Sequence, residues 1–127
     1  MKIKEHVQQD KKIAELISDK TLISDTGDGL EIIGNVYYQG YDNLIIHQKN
    51  LSPQFFDLRN GIAGEVFQKF TNYRIRLFIV GDFKMMAGKS LHAFILESNK
   101  GKQINFVSSV SEALNAITGE EKIIPNQ

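Results

Sequence analysis

The spacing of apolar residues changes along the chain, and each change predicts a new secondary-structure element. Ile3 and Val7 lie in an alternating stretch, the polar run Gln9-Asp10-Lys11 follows it, and Ile13–Ile17 is mostly apolar. Alternation indicates strands that are buried on one side, and a short polar run between two strands is typical of a turn. We therefore expect the chain to begin with a β-hairpin.

Two apolar runs in the middle of the chain, Leu44–Ile46 and Ile75–Val80, are joined by a segment with helical spacing. Strands joined by a helical crossover pair in parallel, so these two should be neighbours in a covered sheet. Pro53 suits the first turn of a helix, where its missing N–H costs nothing. Because glycines interrupt the helical pattern, we expect a short turn first and the main helix from near Asp57 or Asn60.

Capping residues mark the ends of the other helices in the first hundred residues. Ser24 or Asp25 can cap a first helix, and Gly40 would end it. A loop at residues 81–88 leads into a third helix that closes at Gly101. These boundaries place one helix between each pair of successive strands after the hairpin.

The C-terminal segment predicts one more strand and one more helix. Ile104–Val107 is a short apolar run, and Ser109 with Glu112 has the spacing of a capping box. Gly119 is expected to stop the helix, which leaves a single domain over residues 1–119 and a flexible tail over residues 120–127.

The predicted element order is β-β-α-β-α-β-α-β-α. A hairpin followed by right-handed βαβ crossovers gives a mixed, mostly parallel five-stranded sheet with helices packed against it. The sequence therefore predicts an α/β fold.

Composition narrows the classes of function. The 127 residues contain 15 basic and 15 acidic side chains and no cysteine. Disulfides, thiolate chemistry and cysteine-based zinc sites are excluded, and the balanced charge argues against non-specific binding to nucleic acids or membranes. No apolar run has the length of a signal peptide or of a membrane span, so we expect a cytoplasmic protein.

Two stretches carry a resemblance to a known family: IIHQKNLSPQFFDLRNGIAGEVFQKFTNYRIRLFIVGDF and KSLHAFILESNKG. They resemble the bacterial domain-of-unknown-function family 4180, and the resemblance covers nearly the whole chain. The family implies no established activity, cofactor or partner.

The element order is also similar to that of STAS domains of anti-sigma-factor antagonists. In those domains the phospho-acceptor serine follows the third strand, in an Asp-Ser-Ser-Gly-like turn. The matching place here is Asp57-Leu58-Arg59-Asn60-Gly61, which has no hydroxyl group. The resemblance therefore implies a surface for docking a partner rather than a phosphorylation switch, and it rests on fold analogy alone.

Ligands of parallel sheets bind beyond the carboxyl ends of the strands, and several polar residues should gather there. His47 with Asp82 could make an oriented base and Ser52 a nucleophile beside it, although ordinary loop polars and helix caps explain the same residues. The residues expected at this edge are His47, Lys49, Asn50, Ser52, Asp57, Arg59, Asp82, Lys84 and Ser108.

The loop before the third helix offers two further possibilities. Gly81 and Gly88 stand too far apart for a P-loop, but Lys89 and Ser90 at a helix start could hold a phosphate or carboxylate. Met85 is apolar where a loop tip is ordinarily polar, which suits contact with a partner unless it folds back over the helix ends.

The three histidines, His6, His47 and His92, lack the spacing of a metal site, so neither a metal nor another cofactor is expected. The favoured hypothesis is a non-enzymatic interaction or regulatory module, whose protein partner docks on residues 49–61 and 81–90. The alternative is binding of a small anionic ligand, or an enzyme, at the same edge. Nucleic-acid binding is not expected. A homodimer could form through strand Ile3–Val7, although its charged neighbours oppose such pairing.

Overall fold

The computed structural model describes residues 1–86 and 88–122, the last four of these as backbone only. Across these residues five strands and four α-helices alternate in the predicted order. The strands are β1 Lys2–Gln8, β2 Lys11–Ile17, β3 Asn43–His47, β4 Arg76–Val80 and β5 Ile104–Val107. The helices are α1 Thr26–Tyr38, α2 Ile62–Asn72, α3 Lys89–Ser98 and α4 Val110–Lys122.

The strands form a single mixed sheet in the order β1-β2-β3-β4-β5. β1 and β2 are antiparallel, and every later pair is parallel. Leu44 is the register partner of Leu77, so the predicted pairing of the two central strands is confirmed. The hairpin turns through Gln9 and Asp10, whose φ values of 49° and 70° are those of a left-handed two-residue turn. The predicted fold class is confirmed.

The two faces of the sheet are covered by different helices. Successive crossovers that run in the same direction place their helices on the same face of a sheet. Thus α1, α2 and α3 pack over one core cluster, which includes Leu44, Leu77 and Phe106. The other face carries Ile45 and Phe78 together with side chains of α4. The second core therefore depends on the C-terminal helix.

Local capping explains where α1 and α2 begin. The side chain of Asp25 accepts a hydrogen bond from the Asp28 amide at 2.9 Å, so Asp25 is the predicted N-cap of α1. Before α2 the chain makes three short 3-10 turns, Gln48–Asn50, Pro53–Phe56 and Leu58–Asn60. Gly61 then adopts a φ of 77°, and the helix starts only at Ile62. The expected early turn is confirmed, with the main helix slightly later than predicted.

Helix α4 corrects the predicted C-terminal boundary. Ser109 Oγ accepts a hydrogen bond from the Glu112 amide at 3.0 Å. The Glu112 carboxylate, however, accepts from the amide of Ser108 rather than from that of Ser109, so the predicted capping box is not completed. The helix continues through Gly119 to Lys122, so the predicted stop at that glycine is wrong. A glycine costs only about 1 kcal/mol inside a helix and need not end one. The rest of the predicted tail, residues 123–127, lies outside the described residues.

None of the helices among the described residues is both long enough and apolar enough to cross a bilayer.

Candidate functional site

The carboxyl ends of β2, β3 and β4 bring His47 to the same edge of the sheet as the loop after Val80. The His47 ring points to a carboxylate that the sequence analysis did not assign to the site. His47 Nε2 lies 2.7 Å from Glu15 Oε2, and His6 Nε2 lies 2.8 Å from Glu15 Oε1. One side chain from each of β1, β2 and β3 therefore forms a linear arrangement, which we call the His-Glu-His cluster.

Strand geometry explains why these three side chains meet. Glu15 is the polar residue within the apolar run of β2, and only 6% of its surface is exposed. It lies on the sheet face of Ile13 and Ile45, because residues two apart on a strand share a face and paired residues share it too. A buried carboxylate requires hydrogen-bond donors, and the two histidines on neighbouring strands provide them.

The cluster changes the pKa of Glu15. Burial raises the pKa of a carboxyl group, but here hydrogen bonds and charge interactions with His6 and His47 outweigh it, and the pKa of Glu15 is lowered from 4.5. The carboxylate is therefore ionised at neutral pH, and each of its oxygens has a histidine partner.

This arrangement holds the His47 ring rather than leaving it free for catalysis. Its Nε2 bonds to Glu15. At the first 3-10 turn, the His47 side chain also accepts from the Asn50 backbone amide and the Asn50 side chain accepts from the His47 backbone amide, which is a capping box. Asn50 is itself buried, and its side-chain amide donates to the carbonyls of Ser18 and Lys20 at 2.9 and 2.8 Å. Both ring edges therefore face structural partners, and no group of three or more ligands among the described residues is placed to hold a metal ion.

A small hollow of about 280 Å³ opens beside the cluster. Lys49 borders it, and Lys49 Nζ lies 3.4 Å from Asp19 Oδ1 at the rim. Both of these side chains are well exposed, so their pairing is weak. The residues around the hollow are Leu16, Ile17, Ser18, Asp19, His47 and Lys49.

Asp82 does not orient His47 as predicted, because Glu15 occupies that position. The Asp82 amide donates to Gln48 Oε1 at 3.1 Å, while its side chain is exposed. Gln48 fits so closely against Gly81 that a Cβ on this glycine would lie 2.7 Å from Gln48 Cβ. The same glutamine donates to Met86 Sδ at 3.3 Å, so Gln48 holds this loop at both Asp82 and Met86.

The remaining predicted residues of the 49–61 segment do not converge on His47. Ser52 is only 7% exposed, and its Oγ is buried without a hydrogen-bond partner, so solvent and substrate do not reach it. Asp57 and Arg59 are paired with each other at the surface, with Arg59 Nε 2.9 Å from Asp57 Oδ1. That pair lowers the pKa of Asp57 through the hydrogen bonds of Arg59.

A second concave region lies between the loop after β4 and helix α3. The Phe83 ring forms its base and packs against Phe56 and Phe106, with ring centroids 6.2 and 5.1 Å away. His92 Nε2 lies 3.3 Å from the Phe83 carbonyl oxygen. We call this region the loop–α3 groove; its volume is about 350 Å³, and it is lined by Phe83, Lys84, His92, Ile95, Leu96 and Asn99.

Exposed apolar side chains lie in this groove and in the loop that borders it. Leu96, which lines the groove, is 68% exposed, and Met85, which follows the lining residue Lys84 in the loop, is 83% exposed. The alternative expectation, that Met85 and Met86 fold back over the helix ends, is therefore wrong for Met85, whereas Met86 is half-buried and contacts Gln48. Lys89 and Ser90 are also exposed, in the first turn of α3. The contact of Phe56 with Phe83 joins the two segments that the sequence analysis proposed as one docking surface.

Three important positions were absent from the predicted site: Glu15, His6 and Leu96. A sequence signal existed for Glu15, since a lone carboxylate inside Ile13–Ile17 faces the core and needs partners. No comparable signal identified His6 as the partner, because the strand register decides which side chain it meets. Leu96 has the appearance of an ordinary core residue until the helix orientation is known.

Comparison with known proteins gives one assignment. No curated protein and no solved structure matches the chain significantly. The similarity to STAS domains is accordingly not confirmed. A family model described as Domain of unknown function (DUF4180) matches residues 8–117. Because the match spans most of the chain, this protein belongs to the DUF4180 family.

Proposed function

We propose that this domain is a non-enzymatic protein-interaction module whose partner docks in the loop–α3 groove. The observation that carries the proposal is the exposure of Leu96 in this groove and of Met85 in the loop that borders it. Single exposed apolar residues are common, but exposed apolar groups that adjoin a groove are typical of protein-binding sites. Methionine also adapts its shape to a partner at small cost, because its side chain is flexible.

The groove also indicates the chemistry of the partner. Phe83 and Ile95 supply apolar surface, while Lys84 and His92 supply the basic side chains that line it. None of the described residues that line the groove is acidic. A short amphipathic segment with apolar side chains flanked by acidic ones would complement both features.

The geometry of the polar edge supports a binding role over an enzymatic one. His47 is held by Glu15 and by the turn that contains Asn50, and the Ser52 hydroxyl is buried. A nucleophile and its base must lie within hydrogen-bond distance of each other, and this pair makes no hydrogen bond in the structure.

The test is site-specific photo-crosslinking of the full chain in lysate of its native host. A photoreactive amino acid in place of Leu96 should give a discrete adduct with a protein that carries an acidic amphipathic segment. The same amino acid in place of Asp10, in the hairpin turn, is the matched control. We expect the Leu96 adduct to decrease at least about tenfold when Met85→Ser and Lys84→Glu are added.

Equal adducts at both positions, or an adduct that persists in the double variant, would contradict the proposal. Met85 is exposed, so its substitution should leave the melting temperature unchanged. Arg59→Glu, made separately, tests whether docking extends to the 49–61 segment. Because Asp57 already engages that guanidinium, we expect a smaller effect there than at the groove.

The second candidate is binding of a small anion in the hollow beside the His-Glu-His cluster, favoured by the adjacency of His47 and Lys49. Asp19 at the same rim opposes it. Titration with inorganic phosphate, followed by NMR, should shift the Lys49 amide if this candidate is correct. Unchanged spectra up to about 10 mM phosphate would exclude any useful affinity.

A further inference from the structure

A second exposed apolar surface lies on the other side of α2 from the loop–α3 groove. Tyr38 is 92% exposed and Tyr37 is 57% exposed, both in the last turn of α1. Tyr73 follows the end of α2, and its ring meets that of Tyr37 edge to face at a centroid distance of 5.7 Å. We call this surface the tyrosine face; it comprises Leu30, Gly34, Tyr37, Tyr38 and Tyr73.

The spacing on α1 makes the tyrosine face continuous. Residues 30, 34, 37 and 38 are separated by four, three and one positions, so their side chains lie along one side of the helix. A hollow of about 330 Å³ lies on this side, lined by Leu30, Ile33, Gly34, Tyr37, Tyr38 and Tyr73. Gly34 keeps its centre open, since a Cβ there would meet nothing within 4 Å.

We propose that the tyrosine face is the interface of a homodimer, formed about a two-fold axis. A two-fold interface must be complementary to itself, and this face carries both a projecting side chain and a hollow. Tyr38 of each protomer would enter the hollow over Gly34 of the other. Tyrosine is well suited to such an interface, because it buries a large rigid ring while its hydroxyl stays hydrated.

The charged residues Glu31 and Arg74 favour a dimer in which the two α1 helices pack antiparallel. Glu31 lies near the first turns of α1, whereas Arg74 directly follows Tyr73, which contacts the last turn of α1. Neither residue forms an ion pair with another described residue. The two are separated by about six residues of helix, or roughly 9 Å along its axis. Antiparallel packing of two copies would therefore bring Glu31 of each protomer near Arg74 of the other, twice per dimer.

This second copy is distinct from the partner proposed for the loop–α3 groove. Helix α2 separates the two surfaces, since it contacts α1 on one side and stacks Phe67 on Phe94 of α3 on the other. The dimer proposal therefore does not depend on the proposed function, and the groove remains open in the dimer.

The test is sedimentation velocity of the full chain from about 1 µM to about 200 µM, the range in which weak dimers form. We expect the wild type to become dimeric with rising concentration. Tyr38→Ala and Gly34→Arg should each weaken dimerisation at least about tenfold, the first by removing the projecting ring and the second by filling the hollow.

Two controls separate the interface from the fold. Gly64→Ala, in α2 and outside the tyrosine face, adds only a methyl group in open space, so it should raise the melting temperature and retain the dimer. Glu31→Arg and Arg74→Glu should each weaken the dimer, whereas the two together should restore it, since both ion pairs are then reversed.

A chain that stays monomeric throughout the concentration range overturns the proposal. A dimer that persists unchanged in Tyr38→Ala and Gly34→Arg also overturns it, and would direct attention to the open edge of β1. Failure of the charge-reversed pair to recover dimerisation would contradict the antiparallel arrangement.

Discussion

At the residue scale, Glu15 connects three strands through a single carboxylate. His6 comes from the antiparallel hairpin and His47 from the first parallel pair, so the carboxylate links both kinds of pairing. A carboxylate can accept two donors at once, which no neutral side chain of similar size does as well. The cluster therefore stabilises the position of the hairpin on the rest of the sheet.

Glu15→Gln should lower the free energy of unfolding by about 2 kcal/mol, because hydrogen bonds to a buried charge contribute about 1.5 to 3 kcal/mol. Glutamine would accept from one histidine and present an amide N–H₂ to the other. Urea unfolding at pH 7 measures the change. Glu97→Gln is the matched control: its carboxylate is exposed and its partner Lys100 is exposed as well, so a change below about 0.5 kcal/mol is expected.

The partners of Glu15 could be predicted from the sequence only in part. The lone carboxylate in Ile13–Ile17 is visible in the sequence, and its need for a partner follows from physical chemistry alone. The identity of the partner does not, since the sequence offers His6, His47 and His92 alike as donors to it. Only the register of β1 on β2 decides it. His6 pairs with Ile13, which places the His6 side chain diagonally across from Glu15.

At the element scale, α4 is the only described helix that packs on its face of the sheet. Ala113 and Ile117 are buried against Ile13, Ile45 and Phe78, which belong to three different strands. The capping of α4 by Ser109 sets where this contact begins, because it fixes which residues face inward.

Ile117→Ala should therefore lower the free energy of unfolding by about 2 to 5 kcal/mol, the range for removing a buried isoleucine side chain. Ile117 is 2% exposed, so truncating its side chain leaves a cavity in this core. Chemical unfolding monitored by circular dichroism measures the loss. Asn115→Ala, on the exposed side of the same helix, should have little effect; equal losses in both variants would mean that α4 does not cover this core.

Most strands and helices could be predicted because apolar periodicity and helix capping depend only on residues close together in the sequence. Apolar periodicity, Pro53 and the capping residues identified every strand and helix, and the exact bounds of β5. The extension of α4 past Gly119 was not predictable, since a glycine is tolerated in a helix whose preceding turns are held by packing. The direction in which Leu96 points likewise depends on how α3 lies on the sheet.

At the scale of the whole molecule, the lowered pKa of Glu15 makes stability depend on pH. A carboxyl whose folded pKa lies below its unfolded value of about 4.5 stabilises the fold fully above that value. This contribution is lost as the pH falls from the unfolded pKa through the folded one, because the folded state then takes up the proton as well.

We therefore expect the stability advantage of the wild type over Glu15→Gln to shrink as the pH falls below about 4.5. Urea midpoints measured from pH 7 down to pH 3 provide the test. An advantage that does not shrink between about pH 4.5 and pH 3 would show that the two histidines do not lower the pKa of this carboxyl in the folded state.

The strand order of the sheet has a consequence for how the chain folds. Each strand pairs with the one that precedes it in sequence, from β1 through β5. Each pairing therefore spans a single connection, so each closure costs the entropy of that one connection only. A topology of this kind has low contact order for a mostly parallel sheet and favours rapid folding. During synthesis the hairpin can form first, and each later strand finds its template already in place, while the α4 side of the sheet stays uncovered until the last helix is made.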